Sequence, residues 1–201
     1  MTRLLIASNN KGKRIEIQSL LEEYNIDLVI PRDIGLELTV LEDGTTYAEN
    51  AAKKARAFAQ ASGLLTLADD SGLEVDALNG APGIFSARFS TKPNASDADR
   101  RSFLLDQLKG LPRPWLGRFR CVIAISTSSG TIDSAEGICI GEVIPDERGS
   151  NGFGYDPIFL LPELGCTMAE LKMSVKNQYS HRARAVHAAT PRLLQLLADS
   201  K

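Results

Sequence analysis

The 201-residue chain is 43% hydrophobic and 24% charged, the proportions of an ordinary globular protein, which exclude a disordered or fibrous chain. Its 23 basic residues against 25 acidic leave a net charge of -2. No overall field is available for gripping a nucleic-acid backbone, and a polyanionic ligand needs a local basic site. One domain over residues 1–201 is expected at this length, with a core that needs neither disulfides nor a structural metal. The apolar run at the N-terminus is too short for a signal peptide, and no stretch approaches the ~20 apolar residues of a membrane helix, so the expected compartment is the cytoplasm. Three cysteines, Cys121, Cys139 and Cys166, form no C-x-x-C pair and read as reduced thiols. His181 and His187 lie off the i, i+4 spacing of a zinc hydrolase.

In chain order, Arg3 to Ala7 reads as a buried strand, Ser8 to Lys13 as a polar loop, and the residues around Ile15, Ile17, Leu20, Leu21 and Tyr24 as a helix. Asp27 to Ile30 is a second strand, followed by a loop-rich passage from Pro31 to Asp43. Thr46 and Glu49 form a capping box opening a helix of strong formers, Asn50 to Ser62, with Gly63 at its C-terminal cap. Leu64 to Ala68 is a short strand that ends in Asp69-Asp70-Ser71-Gly72, with extended chain resuming over Leu73 to Ala77. Asn79 to Pro93 is loop, and Ser96 to Asp99 caps a helix running to Lys109-Gly110. From Phe119 a long hairpin turns at Ser128-Ser129-Gly130 and returns to Ile144. Pro145 to Asp156 is loop, Ile158 to Leu161 a short strand, and a final helix begins at Ser180, with Pro191 kinking or restarting it.

Three segments carry chemistry, each with a plain structural alternative. A strand–loop–helix junction presents unpaired N–H groups and the positive end of a helix dipole. Ser8-Asn9-Asn10-Lys11-Gly12-Lys13 adds two cations to such a junction, and without the glycines of a P-loop it is either part of a triphosphate site or a solvated turn. Asp69 and Asp70, held side by side in a dry cleft, repel unless a cation intervenes. With Glu42, Asp70 suits magnesium, which takes a few carboxylates plus water and phosphate oxygens; otherwise the pair are exposed turn carboxylates. Phe153, flanked by glycines in Gly152-Phe-Gly-Tyr-Asp156, offers a face for base stacking, with Asp156 to accept from a base N–H, or else is a core aromatic. Lys176, His181 and Arg182 supply donors or are solvated charges.

Taken together, Ser8 to Lys13, Glu49-Asn-Ala-Ala-Lys-Lys-Ala55, Ala68-Asp-Asp-Ser-Gly-Leu73, Gly80-Ala-Pro-Gly-Ile-Phe-Ser-Ala-Arg88, Gly152-Phe-Gly-Tyr-Asp-Pro-Ile-Phe159 and Ser180-His-Arg182 resemble, in order, the inosine triphosphate pyrophosphatase family, the dITP/XTP pyrophosphatases that clear non-standard purine nucleotides. The likeness runs from Arg3 to about Leu197. It implies an α/β fold, a long curved mixed sheet with flanking helices forming two lobes around a central cleft, assembled as a homodimer. It implies hydrolysis of ITP, dITP and XTP between the α- and β-phosphates, with Mg2+ as cofactor; from the charge balance and the lack of a long apolar run, neither nucleic acid nor membrane is expected as partner. Ser8, Asn9, Asn10, Lys11, Gly12, Lys13 and Lys54 are then expected on the triphosphate, with Glu42 and Asp70 handling magnesium and Ser71 lying against the substrate. Asp70 is expected to be catalytic, orienting and deprotonating water. Phe153, Gly154, Tyr155, Asp156, Lys176, His181 and Arg182 form the nucleoside pocket in this reading, donors such as Arg182 and His181 suiting the 6-keto oxygen of hypoxanthine or xanthine. A sensor that binds purine triphosphates without cleaving them, and a Maf-like pyrophosphatase acting on other nucleotides, are the competing readings. Phe85 and Phe89, often tyrosine in that family, and Ser174-Val175 depart from its pattern without touching these positions.

Overall fold

The computed structural model describes residues 3–130 and 132–199. Seven strands, β1 (Arg3–Ile6), β2 (Asp27–Val29), β3 (Leu65–Val75), β4 (Trp115–Ser126), β5 (Ile132–Val143), β6 (Phe159–Leu161) and β7 (Cys166–Thr167), join in one sheet of order β2-β1-β3-β4-β5-β6-β7. Among the described residues five α-helices accompany it: α1 (Lys11–Leu21), α2 (Tyr47–Ser62), α3 (Asp97–Leu108), α4 (Met173–Tyr179) and α5 (His181–Asp199). β1 runs parallel to both β2 and β3, whereas β6 is antiparallel to β5 and to β7, so the sheet is mixed as expected. Neighbours β4 and β5 are joined by so short a connection that they form the expected hairpin. Thr131, the residue after the expected turn at Ser128-Ser129-Gly130, lies outside the described residues.

The chain divides into two compact units, Met1–Asp70 with Cys121–Gly137 and His181–Lys201, and Ser71–Arg120 with Ile138–Ser180. In the first unit, Leu4, Leu5 and Ile6 are wholly buried, the unbroken apolar run of a parallel strand covered on both faces. Leu4 lies beside Leu65 and Ile6 beside Leu67. Ile17, Leu20 and Leu21 of α1 and Ala183, Val186, Leu193 and Leu197 of α5 pack with Cys121, Ile123 and Ile125 of β4. Their three- and four-residue spacing turns one stripe of each helix inward, and each large side chain so buried contributes about 1.5–3 kcal/mol. Gly137 allows the close approach of β5 to α5: a Cβ there would stand 2.2 Å from the His181 carbonyl oxygen and 2.4 Å from the Ala185 nitrogen. Pro191 sits inside α5 without ending it.

α2 starts one turn earlier than its strong formers suggested, but on the expected box: Thr46 Oγ1 accepts from the Glu49 N–H at 3.1 Å and the Glu49 carboxylate accepts from the Thr46 N–H at 3.3 Å. At its other end the N–H of left-handed Gly63 donates to the Ala59 carbonyl at 2.9 Å.

In the second unit Leu73, Val75, Leu104, Leu108, Trp115, Phe159 and Met168 form a separate core, with the Phe119 and Phe159 rings 4.5 Å apart between centroids. Ser96 caps α3, accepting from the Asp99 N–H at 3.2 Å while the Asp99 carboxylate accepts from the Ser96 N–H at 2.8 Å. α4 and β7 had no sequence expectation. The main correction concerns β3, which does not end before Asp69: it runs unbroken through Asp69-Asp70-Ser71-Gly72 to Val75. These residues are poor strand formers, but the place of β3 beside β4 in the sheet and the burial of Asp69 and Asp70 outweigh a propensity scale that spans only about 1 kcal/mol.

Candidate active site

Successive side chains of a strand point to opposite faces, so Asp69 and Asp70 are not held side by side as expected, and each has its own partners. Both are buried, which removes the exposed-turn alternative.

Asp69 Oδ2 lies 3.1 Å from Lys13 Nζ and 3.3 Å from Arg182 Nη2. Arg182, the second residue of α5 and 1% exposed, also donates through Nη1 to Glu16 of α1. One arginine thus fastens a strand and a helix through two carboxylates. Burial pushes the Asp69 carboxyl up, but Lys13, Arg182 and Lys54 outweigh it and hold the group well below the usual carboxylate range. Arg182 is likewise held more firmly protonated, Glu16 and Asp69 overcoming its desolvation. Cys121 of β4 is buried by the same surroundings, which, with the charge of Asp69, push its thiol up to about 12.

Asp70 meets a different set. Its Oδ2 accepts from Asn50 Nδ2 at 3.1 Å, and its Oδ1 lies 3.7 Å from Lys54 Nζ, which is 2.8 Å from Glu42 Oε1. Burial pushes the Asp70 carboxyl up more than Lys54 and Lys13 pull it down, and nearby Glu42 adds to the rise. For Lys54, desolvation is outweighed by Asp69, Asp70 and Glu42, and its pKa is raised. Two carboxylates therefore converge on one cation. Among the described residues no group of three or more His, Cys, Asp or Glu gathers as a metal site. A pair of carboxylates suits magnesium, which takes one or two from the protein and completes its shell with phosphate and water oxygens.

The junction after β1 is shorter than expected, because Lys11, Gly12 and Lys13 already form the first turn of α1. The Asn10 side chain caps that helix by accepting from the Lys13 N–H at 3.1 Å, while Arg14 donates to the carbonyls of Ser8 and Asn9 at 3.3 Å each. The loop is thereby shaped, and the first-turn amides of Lys11 and Gly12, which no intrahelical carbonyl can reach, face its anion-favouring end. Ser71 follows Asp70 in β3 and is half-buried.

In the second unit Asp156 Oδ2 accepts from the Phe153 N–H at 2.9 Å and from Lys176 Nζ at 2.5 Å, both side chains of the ion pair being buried. Lys176, from α4, also stands 5.6 Å from the Phe153 ring centroid, a cation–π distance. Gly152 is required here: it has φ +76°, and a Cβ would fall 2.0 Å from Asp156 Oδ2. The Tyr155 hydroxyl donates to the Ser86 carbonyl at 2.9 Å, and burial raises its pKa. Asp156 and Tyr155 are thus anchored, whereas Phe153 is half-buried. His181 opens α5 and is buried, next to Arg182.

Two residues of this arrangement had no sequence-based assignment. Glu16 is 3% exposed although it lies between Ile15 and Ile17, and Asn50 is 1% exposed on a helix face that also buries Ala51 and Ala55. A polar residue beside an apolar stripe was the available signal. Asn50 accepts from the Gly44 N–H at 2.8 Å through Oδ1 while donating to Asp70, so it ties the segment after Glu42 to the catalytic candidate. Asn50→Ala is expected to lower turnover about 10–100-fold, the usual effect of removing a group that orients a functional carboxylate. Steady-state kinetics at saturating substrate checks this, and unchanged turnover would remove Asn50 from the site.

A mixed-sheet α/β protein whose helix-capped loop, lysines and paired carboxylates can hold a phosphate chain with a divalent cation is the class these features define. The chain belongs to the Ham1 family, whose model matches residues 4–192. A dITP/XTP pyrophosphatase of Desulforamulus reducens is 48% identical over 188 residues, 93% of each chain. One of Geobacter sulfurreducens is 46% identical over 187 residues, 92% of this chain and 94% of its own. Among solved structures, a HAM1 protein from Coxiella burnetii superposes with TM-score 0.86 at 39% identity, covering 97% of this chain and 100% of that one. The Ham1 protein of Staphylococcus aureus gives TM-score 0.82 at 38% identity over 100% of both.

Proposed function

We propose that this protein hydrolyses the non-standard purine nucleoside triphosphates ITP, dITP and XTP to the nucleoside monophosphate and pyrophosphate, with magnesium, and so cleanses the nucleotide pool of the cytoplasm as a homodimer. The observation that carries the reading is Lys54 gripped between Glu42 and Asp70, with Lys13 held on Asp69. The names of the relatives, dITP/XTP pyrophosphatase, support the substrate class. Among the described residues no helix is long and apolar enough to cross a membrane.

Hydrolysis at the α-phosphorus requires charge neutralisation, a positioned water and a stabilised leaving group. In this reading Lys13, Lys54 and the turn from Ser8 to Gly12 take the negative charge of the phosphate chain. Asp70 orients a water and accepts its proton as the oxygen bonds to the α-phosphorus. The bond from that phosphorus to the bridging oxygen breaks, and pyrophosphate leaves with the electron pair. Magnesium, held by Glu42 and Asp70, would supply further polarisation of the phosphate oxygens, worth several kcal/mol. A base positioned as Asp70 is contributes typically about 10²–10⁴-fold.

The base is assigned to Phe153, Gly154, Tyr155, Asp156 and Lys176, all within the second unit. A donor set suits a 6-keto oxygen, whereas adenine brings an amino group and leaves buried donors unpaired, a mismatch that can discriminate by about 10⁴–10⁵. The test offers ITP, dITP, XTP, GTP, ATP and dTTP with magnesium and assays pyrophosphate separately from orthophosphate. Pyrophosphate is expected from the first three well ahead of ATP and dTTP. Orthophosphate as the sole product, or equal rates on ATP, would overturn the assignment.

A further inference from the structure

Helix α3 holds the backbone of one residue in the Phe153 loop from both sides. The Gly154 N–H donates to Asp97 Oδ2 at 2.8 Å, and the Gly154 carbonyl accepts from Arg101 Nη1 at 2.8 Å. Residues 97 and 101 are four apart on a helix, so they project from the same face, which is why they can seize the two polar groups of one residue. Each is braced in turn. Arg101 forks onto Glu147 through Nε and Nη2, at 2.7 and 2.8 Å, and Asp97 pairs with Arg100. The Asp97 carboxyl, although partly desolvated, is held below its ordinary range by the Gly154 N–H and by Arg100 and Arg101, so it stays an anion and the bond stays charge-assisted.

Gly154 stands between Phe153, the candidate stacking ring, and Tyr155 and Asp156, whose side chains are fixed elsewhere in the same unit. A loop of two glycines would otherwise sample many backbone states, because glycine tolerates most of φ/ψ space. We infer that Asp97 and Arg101 are positioning residues that pre-organise the Phe153 loop for the purine base. They touch neither phosphate nor metal in this scheme, and the inference rests on the proposed assignment of that loop to the base. Pre-organisation appears in affinity for anything that carries the base, since the ordering is already complete before binding.

The experiment compares wild type with Asp97→Ala, Asp97→Asn and Arg101→Met. Three quantities are read: KM and kcat for ITP, inhibition of ITP cleavage by IMP and by tripolyphosphate, and amide hydrogen exchange of residues 152–156. Loss of one charge-assisted bond is expected to raise KM for ITP and weaken IMP inhibition about tenfold. Turnover and tripolyphosphate inhibition should stay within about twofold of wild type on the same scale, and exchange at 152–156 should accelerate. Asp97→Asn, whose amide oxygen can still accept from the Gly154 N–H, should recover most of the effect. Unchanged KM and IMP inhibition, or equal weakening of IMP and tripolyphosphate, would overturn the inference. Should wild type release no pyrophosphate from any purine triphosphate, the functional reading itself fails. The clamp is then judged by exchange alone, and equal protection of 152–156 in Arg101→Met and wild type would reject it.

Discussion

Replacing Asp70 by asparagine should lower pyrophosphate release by about 10²–10⁴-fold, the span of a lost general base, while the protein stays folded and still binds nucleotide. The expectation on stability is less intuitive. Burial holds the folded-state carboxyl above its ordinary value, so ionisation is harder in the folded chain than in the unfolded one. A group with its pKa raised in this direction costs stability at every pH above that folded value. Neutral asparagine relieves that cost and can still bond Asn50, so metal-free Asp70→Asn should unfold at the same temperature as wild type or higher. Thermal melts without magnesium, paired with turnover measurements, check both halves. Near-normal turnover would remove Asp70 from the chemistry, and a marked drop in melting temperature would contradict the electrostatic description of its surroundings.

Arg182→Met should act in the opposite sense, destabilising by about 3–5 kcal/mol, because it takes the cation from the buried carboxylate of Glu16 and leaves Asp69 with Lys13 alone as its ion-pair partner. Urea unfolding would report it. The double variant Glu16→Leu with Arg182→Met removes one stranded charge, so it should be more stable than Arg182→Met alone, a non-additivity expected of side chains in one network. Equal losses in single and double variants would show that Glu16 is not part of the network. Acid sensitivity follows with a definite sign. Asp69 has its folded pKa depressed, so its contribution is complete above the unfolded value of about 3.9 and is lost as the pH falls below it toward the folded value. Without Arg182 that depression shrinks, and stability should fall less steeply between about pH 4 and pH 2 than in wild type.

Much of this arrangement could be read from residue types alone. The Thr46–Glu49 and Ser96–Asp99 boxes, the Gly63 cap and the β4–β5 hairpin are local signals, each satisfied by atoms a few residues away. What failed was the stretch where local and tertiary preferences disagree. Asp69 to Gly72 has the chemistry of a turn, and only the pairing of β3 with its neighbours, together with lysines and an arginine delivered from α1, α2 and α5, makes extended acidic chain stable there. Arg182 is separated from Asp69 by 113 positions, which no window-based pattern can connect. Its near-complete burial was therefore invisible, and Asn50 and Glu16 went unassigned for the same reason. Helix α4, seven residues with no side-chain cap at Lys172, is too short to announce itself by periodicity. The candidate residues were legible as a set, but who pairs with whom was not.

The opposite facing of Asp69 and Asp70 bears on which insertions and deletions the chain can tolerate. One peptide bond separates the carboxylate braced by α1 and α5 from the one assigned to chemistry. Gaining or losing a single residue between Leu67 and Asp69 would invert the pleat beyond it, moving one aspartate into the environment of the other and the second out of both, while leaving the amino-acid types untouched. Length variation should therefore be accommodated in the loops to either side of this strand and be forbidden within it, even for a glycine or an alanine that would fit sterically.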